Sequence, residues 1–580
     1  MPLLPPTVIG PISVCNSSVR VRGQNIGANV QLFQSGNESP IGGGVATWSD
    51  QPFPLKAGVK LTAGQSITAT QTKDGVTSPA SPSPIQIQAG PPARIGAVMC
   101  ATHIYECGQA LSFIGAVPGA TIEVTVAGQV RGSRVSADGT AKVPLSAPTK
   151  ATDTLVVTQT ACGQTGPPAT LPQPDKPPLT AQGLLPVPSI AGSVYACQEA
   201  IQIGNVVDGA LVAVTQAPSA TTASGLFATS SELLQTKPIG AGEAVSVMQS
   251  MPDCQIQGVS SAQVPVSPTA PVPVPSVIAP LCTGDVYVGL SNLIPGAQVE
   301  IFQGGVSLGT GACSTSTQYF AVPALSRKQP VQATQSLCGN TSELSKAVKV
   351  KGAMTLDAPA VEKTIFQCAS TVQVSNLHPG AVVYVYSTEL GAPIGIAQAT
   401  GEEMDIRVAP LLTAGDQIYA QQQGCGQMSP QAQAVMVKPL PNQGAPAIIA
   451  PVGAGSSSVF VQNLIAGARV DVLVNGVFRG TAAATAPIIE VLLSPPILSI
   501  GDQVVVREST CQGVVSGLPV MVTGCQCAQI SKAPISGGLF LYTFNCATPA
   551  NTVETVQVTA ATDAEALQKA ELGCDRQYGV

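Results

Sequence analysis

The cysteines are the residues of this sequence whose spacing most clearly suggests chemistry. There are sixteen, and eight form a series of two per repeat, 55 to 57 residues apart: Cys107 and Cys162, Cys197 and Cys254, Cys282 and Cys338, Cys368 and Cys425. Thiols at such positions can form disulfides, hold a metal, or pack as small apolar groups. The repeat length varies by several residues while this spacing barely changes, so we predict a disulfide within each repeat.

The other cysteines leave alternatives open. Cys15 occupies the first position of a pair whose second cysteine is absent from its repeat, and Cys511 occupies the second position without the first. Buried free thiols remain possible, whereas metal binding is disfavoured because the chain has two histidines and no repeat has two close-spaced cysteine pairs. The sequence does not assign partners to eight cysteines: Cys15, Cys100, Cys313, Cys511, Cys525, Cys527, Cys546 and Cys574.

A disulfide framework indicates an oxidising compartment. We therefore expect an extracellular or cell-surface location, although the N-terminal segment MPLLPPTVIGPIS has no positive region or apolar core of a recognisable signal peptide. We expect no cofactor and no metal.

One turn followed by one strand recurs six times and sets the organisation of the chain. Copies read VPGATIEVTV, IPGAQVEIF and HPGAVVYVY. Proline fixes φ near −65°, and the following glycine accepts the positive φ that other residues resist. The glycines of this turn are 84 to 92 residues apart: Gly27, Gly119, Gly209, Gly296, Gly380 and Gly467.

Each repeat has the pattern of a small β-sandwich. Alternating segments such as VFVQNL put every second side chain on one face, and phrases such as AGDQIYAQQQGCGQMS recur later in each unit. The repeat length suits one sandwich domain per repeat. We predict an all-β array of six modules with these limits: 1–90, 91–178, 179–274, 275–352, 353–439 and 440–524.

These motifs resemble the bacterial Ig-like repeats of large surface adhesins and biofilm-associated proteins, from Met1 to about Gly524. The resemblance rests on the Pro-Gly-Ala turn before a Val-rich strand, a glycine hairpin such as NGVFRG, and a Gly-Asp strand. It implies Ig-like β-sandwich modules in tandem. Proline-rich connectors such as VPVSPTAPVPVPS favour extended, semi-rigid joints, so we expect a rod on the order of 200 Å long from strands of ~3.3 Å per residue.

The last segment, 525–580, differs from the repeats. GGLFLYTFNC and TVETVQVTA predict two strands, and TDAEALQKAELGC predicts a helix. Thr562 and Glu565 form a capping box at its start, and Gly573 marks its expected end. We predict a small ββα domain stapled by disulfides, serving as an anchoring module or as a cap on the last repeat.

Composition excludes several classes of function. Only 10% of residues are charged, the formal charge is −6, and no basic stripe is present, so nucleic acid is not expected as a partner. No stretch approaches the ~18 apolar residues of a membrane-spanning helix, so we expect no transmembrane segment.

Catalytic motifs are equally scarce. GVSLG at Gly305–Gly309 matches the nucleophile elbow of serine hydrolases, but it falls at a hairpin and has no histidine partner. His103 and His378 do not have the setting of a general base. Trp48, the single tryptophan, marks either a ligand-contacting tip of module 1 or a core anchor.

The sequence therefore favours a non-enzymatic, extracellular structural or adhesive rod. One alternative is a surface protein that binds carbohydrate or protein through many weak sites. Another is a fibre subunit that polymerises through its terminal domains. The expected partner is a protein or carbohydrate on a surface, or a second copy of the chain.

Overall fold

Strands dominate the computed structural model of the chain. It describes all residues except 92–94, 181, 217–219, 243, 269–270, 442–443, 466, 485, 494–497, 512, 525, 536–538, 548–552 and 579–580.

The first three modules contain β1 to β26. Module 1 has β1 (Thr7–Ile9), β2 (Ile12–Ser13), β3 (Ser18–Arg22), β4 (Asn29–Gln34), β5 (Gly42–Val45), β6 (Asp50–Pro54), β7 (Ser66–Lys73), β8 (Val76–Thr77) and β9 (Ile85–Gln88). Module 2 has β10 (Met99–Cys100), β11 (Ala110–Ile114), β12 (Thr121–Val126), β13 (Gln129–Val135), β14 (Ala141–Pro144), β15 (Leu155–Ala161), β16 (Gln164–Thr165) and β17 (Ala169–Thr170). Module 3 has β18 (Ser189–Ile190), β19 (Val194–Tyr195), β20 (Ala200–Gly204), β21 (Leu211–Gln216), β22 (Ala220–Leu226), β23 (Glu232–Gln235), β24 (Ala244–Met251), a 3₁₀ turn (Pro252–Cys254), β25 (Ile256–Gln257) and β26 (Val264–Ser267).

The next three modules contain β27 to β53. Module 4 has β27 (Ser276–Val277), β28 (Leu281–Cys282), β29 (Tyr287–Ser291), β30 (Gln298–Gln303), β31 (Val306–Ala312), β32 (Gln318–Ala321), β33 (Pro330–Leu337), β34 (Asn340–Thr341) and β35 (Val348–Lys351). Module 5 has β36 (Ala360–Val361), β37 (Ile365–Phe366), β38 (Thr371–Ser375), β39 (Val382–Ser387), β40 (Ala392–Gln398), β41 (Glu403–Arg407), β42 (Gln417–Gly424), β43 (Gln427–Met428) and β44 (Val435–Lys438). Module 6 has β45 (Ala447–Ile448), β46 (Val452–Gly453), β47 (Ser458–Gln462), β48 (Arg469–Val474), β49 (Val477–Ala483), β50 (Ile488–Leu492), β51 (Gln503–Thr510), β52 (Gly513–Ser516) and β53 (Val520–Thr523).

Every module is built from two sheets. In module 4 a three-stranded sheet has the order β27-β29-β32, and a larger sheet has the order β28-β35-β33-β30-β31 with β34 paired to β33. The β28 strand runs parallel to β35, while the other pairs are antiparallel. Modules 1, 3, 5 and 6 repeat this order, which is that of an Ig-like sandwich. The predicted all-β tandem Ig-like fold is confirmed.

The core of each sandwich follows from strand alternation. In module 4, Val288, Leu290, Val299, Ile301 and Val331 are fully buried between the two sheets. Their spacing of two puts one face of each strand inside and leaves the other for solvent or a neighbouring module.

The six repeated turn glycines all have a left-handed backbone. Their φ angles lie between 81° and 93°, at Gly27, Gly119, Gly209, Gly296, Gly380 and Gly467. A side chain resists this conformation, which explains why the turn repeats a glycine.

The terminal domain has one strand more than the ββα prediction. Strands β54 (Gln526–Pro534), β55 (Phe540–Ala547) and β56 (Val553–Ala560) form an antiparallel sheet, followed by helix α1 (Asp563–Tyr578). The capping hydrogen bond from Glu565 N to Thr562 Oγ1 is present at 3.2 Å. The helix continues past Gly573, because the buried stripe of Ala566, Ala570 and Cys574 extends its contact with the sheet.

The chain divides into two compact units, Met1–Leu440 and Pro441–Val580. The limits of the individual modules within these units remain a prediction.

Modules that are distant in sequence contact each other within the first unit. Thr310 of module 4 donates its N–H to Pro2 O at 3.0 Å and accepts from Leu4 N at 2.9 Å. Leu411 N of module 5 donates to Gly115 O of module 2 at 3.1 Å. A single-file rod has no such contacts, so the extended arrangement is wrong for the first five modules. The reason is that the edge strand β31 and the loops of module 5 offer backbone groups that modules 1 and 2 satisfy.

Candidate functional site

The joints between successive modules carry the chemistry of the first unit. Four disulfides join an early cysteine of one module to a late cysteine of the next, with sequence separations of 141 to 147 residues: Cys15–Cys162, Cys107–Cys254, Cys197–Cys338 and Cys282–Cys425. Their Cα–Cα distances of 5.1 to 6.0 Å suit disulfides. Pairing within each module, as the sequence suggested, is wrong.

Strand direction explains why cysteines of one module do not pair. In module 2, Cys107 precedes β11, which runs away from it towards the turn at Gly119. Cys162 directly follows β15, whose last residues pair with the start of β12, as Thr160 does with Thr121. The two cysteines therefore lie at opposite ends of the sandwich. Their constant spacing reflects a constant module length.

The remaining cysteines have varied settings. Cys527 is bonded to Cys546 in the terminal domain, and Cys368, Cys511 and Cys574 are also in disulfides. Burial raises the pKa of the Cys313 thiol to about 12. The Cys100 sulfur lies 3.5 Å from Thr102 O, and Cys525 lies outside the described residues.

The repeated turn docks onto the cysteine loop of the preceding module. Ser13 Oγ donates to Pro118 O at 2.6 Å, and Gln109 N donates to Gly209 O at 2.9 Å. A Cβ on Gly119 would lie 2.4 Å from the carbonyl carbon of Cys15, a separation that real contacts do not reach. At Gly119 the turn therefore needs glycine for close approach as well as for its φ angle. The sequence alone predicted only the positive φ angle.

Ion pairs add to the first joint. Arg20 Nη1 lies 2.8 Å from Asp138 Oδ2 of module 2, and Arg20 and Arg22 both contact Asp50. Burial alone would lower the pKa of Arg20, but Asp50 and Asp138 outweigh burial and raise it. Burial likewise opposes ionisation of Asp50, and the two arginines nevertheless hold its pKa below the usual value. The pairing therefore keeps Arg20 and Asp50 charged.

A buried side-chain amide clamps the turn of every module but the last. In module 5, Gln422 Oε1 accepts His378 N–H at 2.7 Å, and its Nε2 donates to Asp357 O at 2.9 Å. The same role belongs to Gln71, Gln159, Gln249 and Gln335. Module 6 has Glu508 instead, and burial raises the pKa of its carboxyl. The recurring glutamine in phrases such as TQTKDG and QQQGCG was the sequence signal for this clamp.

The joint between modules 4 and 5 has a distinctive set of side chains around its disulfide. Asp285 accepts the backbone N–H groups of Cys282 and Cys425, each at 2.7 Å, and its Oδ1 lies 3.2 Å from the Cys282 sulfur. His378 Nε2 lies 3.9 Å from the Cys425 sulfur. Burial raises the pKa of Asp285, although the two N–H groups oppose that shift. Sequence reasoning placed His378 in the turn but could not place it beside cysteines of two modules.

A cavity of about 510 Å³ opens where modules 1, 2, 4 and 5 meet. Tyr287 and Tyr384 are buried in its wall, and Tyr319 is half-buried. The Tyr319 hydroxyl donates to Ala399 O at 3.2 Å. Arg407 at the wall is exposed. Aromatic faces beside charged and amide groups can hold a small polar molecule.

The other candidate residues lie in three different modules: Trp48 in module 1, His103 in module 2 and Ser307 in module 4. Trp48 is only 7% exposed, which favours a core anchor over a ligand-contacting tip. Ser307 of GVSLG lies in the antiparallel strand β31, where its Oγ donates to Glu300 Oε1 at 2.6 Å. His103 is buried, with Nε2 3.1 Å from Asp175 Oδ2.

The fold and the joints together define a tandem Ig-like β-sandwich protein with disulfides between its modules. No protein-family model matches the chain, and no curated protein sequence matches it. Three solved structures are similar to it: the BSP domain of a biofilm-associated protein (10% identity, 61% of this chain, 96% of that chain, TM-score 0.17), the FN1–FN3 domains of chicken CNTN1 (9%, 43%, 98%, 0.16) and the I9–I11 tandem of titin (11%, 43%, 98%, 0.14). TM-scores this low carry no argument about function.

In the part of the chain that the structure describes, no helix has both the length and the apolar character needed to cross a membrane.

Proposed function

We propose that the chain is a non-enzymatic structural or adhesive protein of an extracellular surface, braced by covalent bridges between its modules. The observation that carries this proposal is the overlap of the four disulfide loops. Along the sequence, each disulfide loop begins before the previous loop ends. Every residue from Cys15 to Cys425 therefore lies inside at least one loop.

Overlapping loops have a mechanical consequence. A single backbone cut anywhere between Cys15 and Cys425 leaves both pieces joined through sulfur. Bridges confined to single modules would leave the connectors as the only covalent links. Covalent bracing of this kind suits a protein that works outside the cell, where proteases and load act on it and disulfides persist.

The proposal is tested on the source cells. Free thiols are trapped with a maleimide that does not cross membranes, exposed lysines are labelled with a biotin reagent of the same kind, and the recovered chain is mapped without reduction. We expect a biotinylated chain with the four bridges formed. A chain that is unlabelled on intact cells and reduced on recovery would contradict the proposal.

The cavity at the meeting of modules 1, 2, 4 and 5 favours a second candidate function, the binding of a small saccharide. Half-buried Tyr319 offers a ring to stack on a sugar face, and exposed Arg407 offers hydrogen bonds to hydroxyl groups. Saturation-transfer NMR of the full chain with neutral trisaccharides tests it. We expect a signal that Tyr319→Ala removes, and no signal with any of them would overturn this candidate.

A further inference from the structure

The joint between modules 4 and 5 brings together three potential metal ligands that are far apart in sequence. The sulfurs of Cys282 and Cys425 and the imidazole of His378 have ligand atoms within 4.8 Å of one another. Among the described residues, it is the one group of three such ligands this close. The cysteines come from two modules, so the group exists only in the assembled joint.

We propose that this joint is a redox-gated site for Zn²⁺. In the oxidised chain the two sulfurs are bonded to each other. Reduction gives two thiols, and zinc then replaces their two protons and binds Cys282, Cys425 and His378. Two thiolates and one imidazole are ligands that zinc prefers.

The geometry of the joint suits this coordination. Two Zn–S bonds of about 2.3 Å at a tetrahedral angle place the sulfurs about 3.8 Å apart. Reduction frees the two sulfurs to move apart, and the three ligand atoms already lie within 4.8 Å of one another. Both cysteines are almost fully buried, whereas His378 is half-buried and adjusts more freely.

Asp285 holds the two cysteines in place. Its carboxylate accepts one N–H group from each, at 2.7 Å, and so fixes the two modules relative to each other at the site. Carboxylates that orient ligands in this way contribute to metal affinity without binding the metal.

A cavity also lies beside the joint. A cavity of about 240 Å³ adjoins the joint and is lined by Asp285 and by glycines on both modules, including Gly284, Gly380 and Gly426. A hydrated cation in this cavity reaches Asp285, which hydrogen-bonds to both cysteines, and a water molecule can complete a tetrahedral site.

The chemistry balances with a phosphine as the reductant. The phosphine takes the oxygen of one water molecule and becomes a phosphine oxide, and the two hydrogens of that water become the thiol protons. Two electrons pass to the sulfur pair, and zinc binding later releases two protons to solvent. A phosphine is preferred to a dithiol because a dithiol would itself bind zinc.

The test uses the full-length chain. Zn²⁺ or Mg²⁺ is added, the phosphine opens the bridges, and each cysteine is alkylated and quantified by mass spectrometry. We expect zinc to protect Cys282 and Cys425 and to leave Cys15 and Cys162 as reactive as in magnesium. The joint between modules 1 and 2 thus serves as the internal control.

His378→Val gives this turn the valine that module 2 has at Val117, and we expect it to abolish the protection. Co²⁺ in place of Zn²⁺ should give a thiolate-to-metal absorption band that His378→Val removes. Far-UV circular dichroism follows the strands throughout. Equal labelling at both joints, protection that survives His378→Val, or loss of strand signal while zinc is present would each overturn the proposal.

Discussion

Gly119 of module 2 lies against the backbone of Cys15 of module 1, and Cys15 is bonded to Cys162 at the same end of module 2. The turn glycine and the late cysteine of one module therefore meet the early cysteine of its predecessor at a single joint. The sequence repeats the turn because it repeats the joint as well as the sandwich.

Substituting the turn glycine separates its two roles, the close approach to the preceding module and the positive φ angle. Gly119→Ala is expected to destabilise the joint strongly, because its Cβ would overlap the Cys15 backbone and its φ of 83° is unfavourable for alanine. Gly27→Ala is the matched control: Gly27 occupies the same turn of module 1 at φ 81°, and nothing lies within 4 Å of its Cβ position. Chemical denaturation should show only about 1 kcal/mol of loss for Gly27→Ala, from the backbone alone. Equal losses in the two variants would refute the docking role.

The buried amide clamp is tested in strand β42 of module 5. Gln422→Met removes the acceptor of the His378 N–H group and leaves that group without a partner, at an expected cost of about 1–3 kcal/mol. Gln417→Met lies on the same strand at an exposed position and should change the free energy of unfolding far less. Thermal unfolding of both variants gives the comparison, and matching midpoints would show that the clamp contributes nothing.

Glu508 makes the stability of module 6 depend on pH. Its folded-state pKa is raised above the ordinary 4.5 by burial, so the folded state binds more protons than the unfolded state just above that pH. Its contribution is present below pH about 4.5 and is lost as the pH rises through the folded pKa. Glu508→Gln restores the amide of the other modules and should therefore stabilise the chain at pH 7 and have little effect at pH 4. Denaturation of both proteins at the two pH values checks this, and a gain that is the same at both would contradict it.

The bridges should also limit how far the chain extends under load. The shortest covalent path from Cys15 to Cys425 crosses three bridges, Cys15–Cys162, Cys107–Cys254 and Cys282–Cys425. It includes only two backbone stretches, 107–162 and 254–282, which hold about a fifth of the residues between Cys15 and Cys425. Single-molecule pulling on the ends of the first unit should release more than twice as much contour length after reduction as before it. The same length before and after reduction would contradict the overlapping loops.

Local patterns were sufficient to predict the sandwich. Alternation in segments such as Val372–Leu377 and the turn glycines are properties of a few neighbouring residues, and the structure contains the strands and turns that they indicate. Such patterns could not predict the partner of Cys107. A spacing of 55 residues is expected from a disulfide within the module and equally from modules of constant length. Only the direction of β11 and β15 decides between them, and that direction places Cys107 far from Cys162 and near the next module.

The same limit applies to the joint of modules 4 and 5. Nothing near His378 in sequence suggested a metal ligand, since Cys282 lies in another module. The turn that carries His378 and the loop that carries Cys282 meet only because the two sandwiches dock. The contact between Thr310 and the N-terminal segment could not be predicted from the sequence either, because it is made by backbone groups, which every residue has.

A single cut in the connector between modules 2 and 3 tests whether the disulfides join neighbouring modules. A protease site is inserted after the exposed Thr180, the folded protein is cut, and the products are separated in denaturant without reducing agent. The wild-type chain should remain one species, because the bridge Cys107–Cys254 spans the cut, and it should fall into two fragments on reduction. The double variant Cys107→Ser, Cys254→Ser should fall into two fragments without reduction. If the cut wild-type chain separates before reduction, the disulfides do not join neighbouring modules and the proposed bracing is wrong.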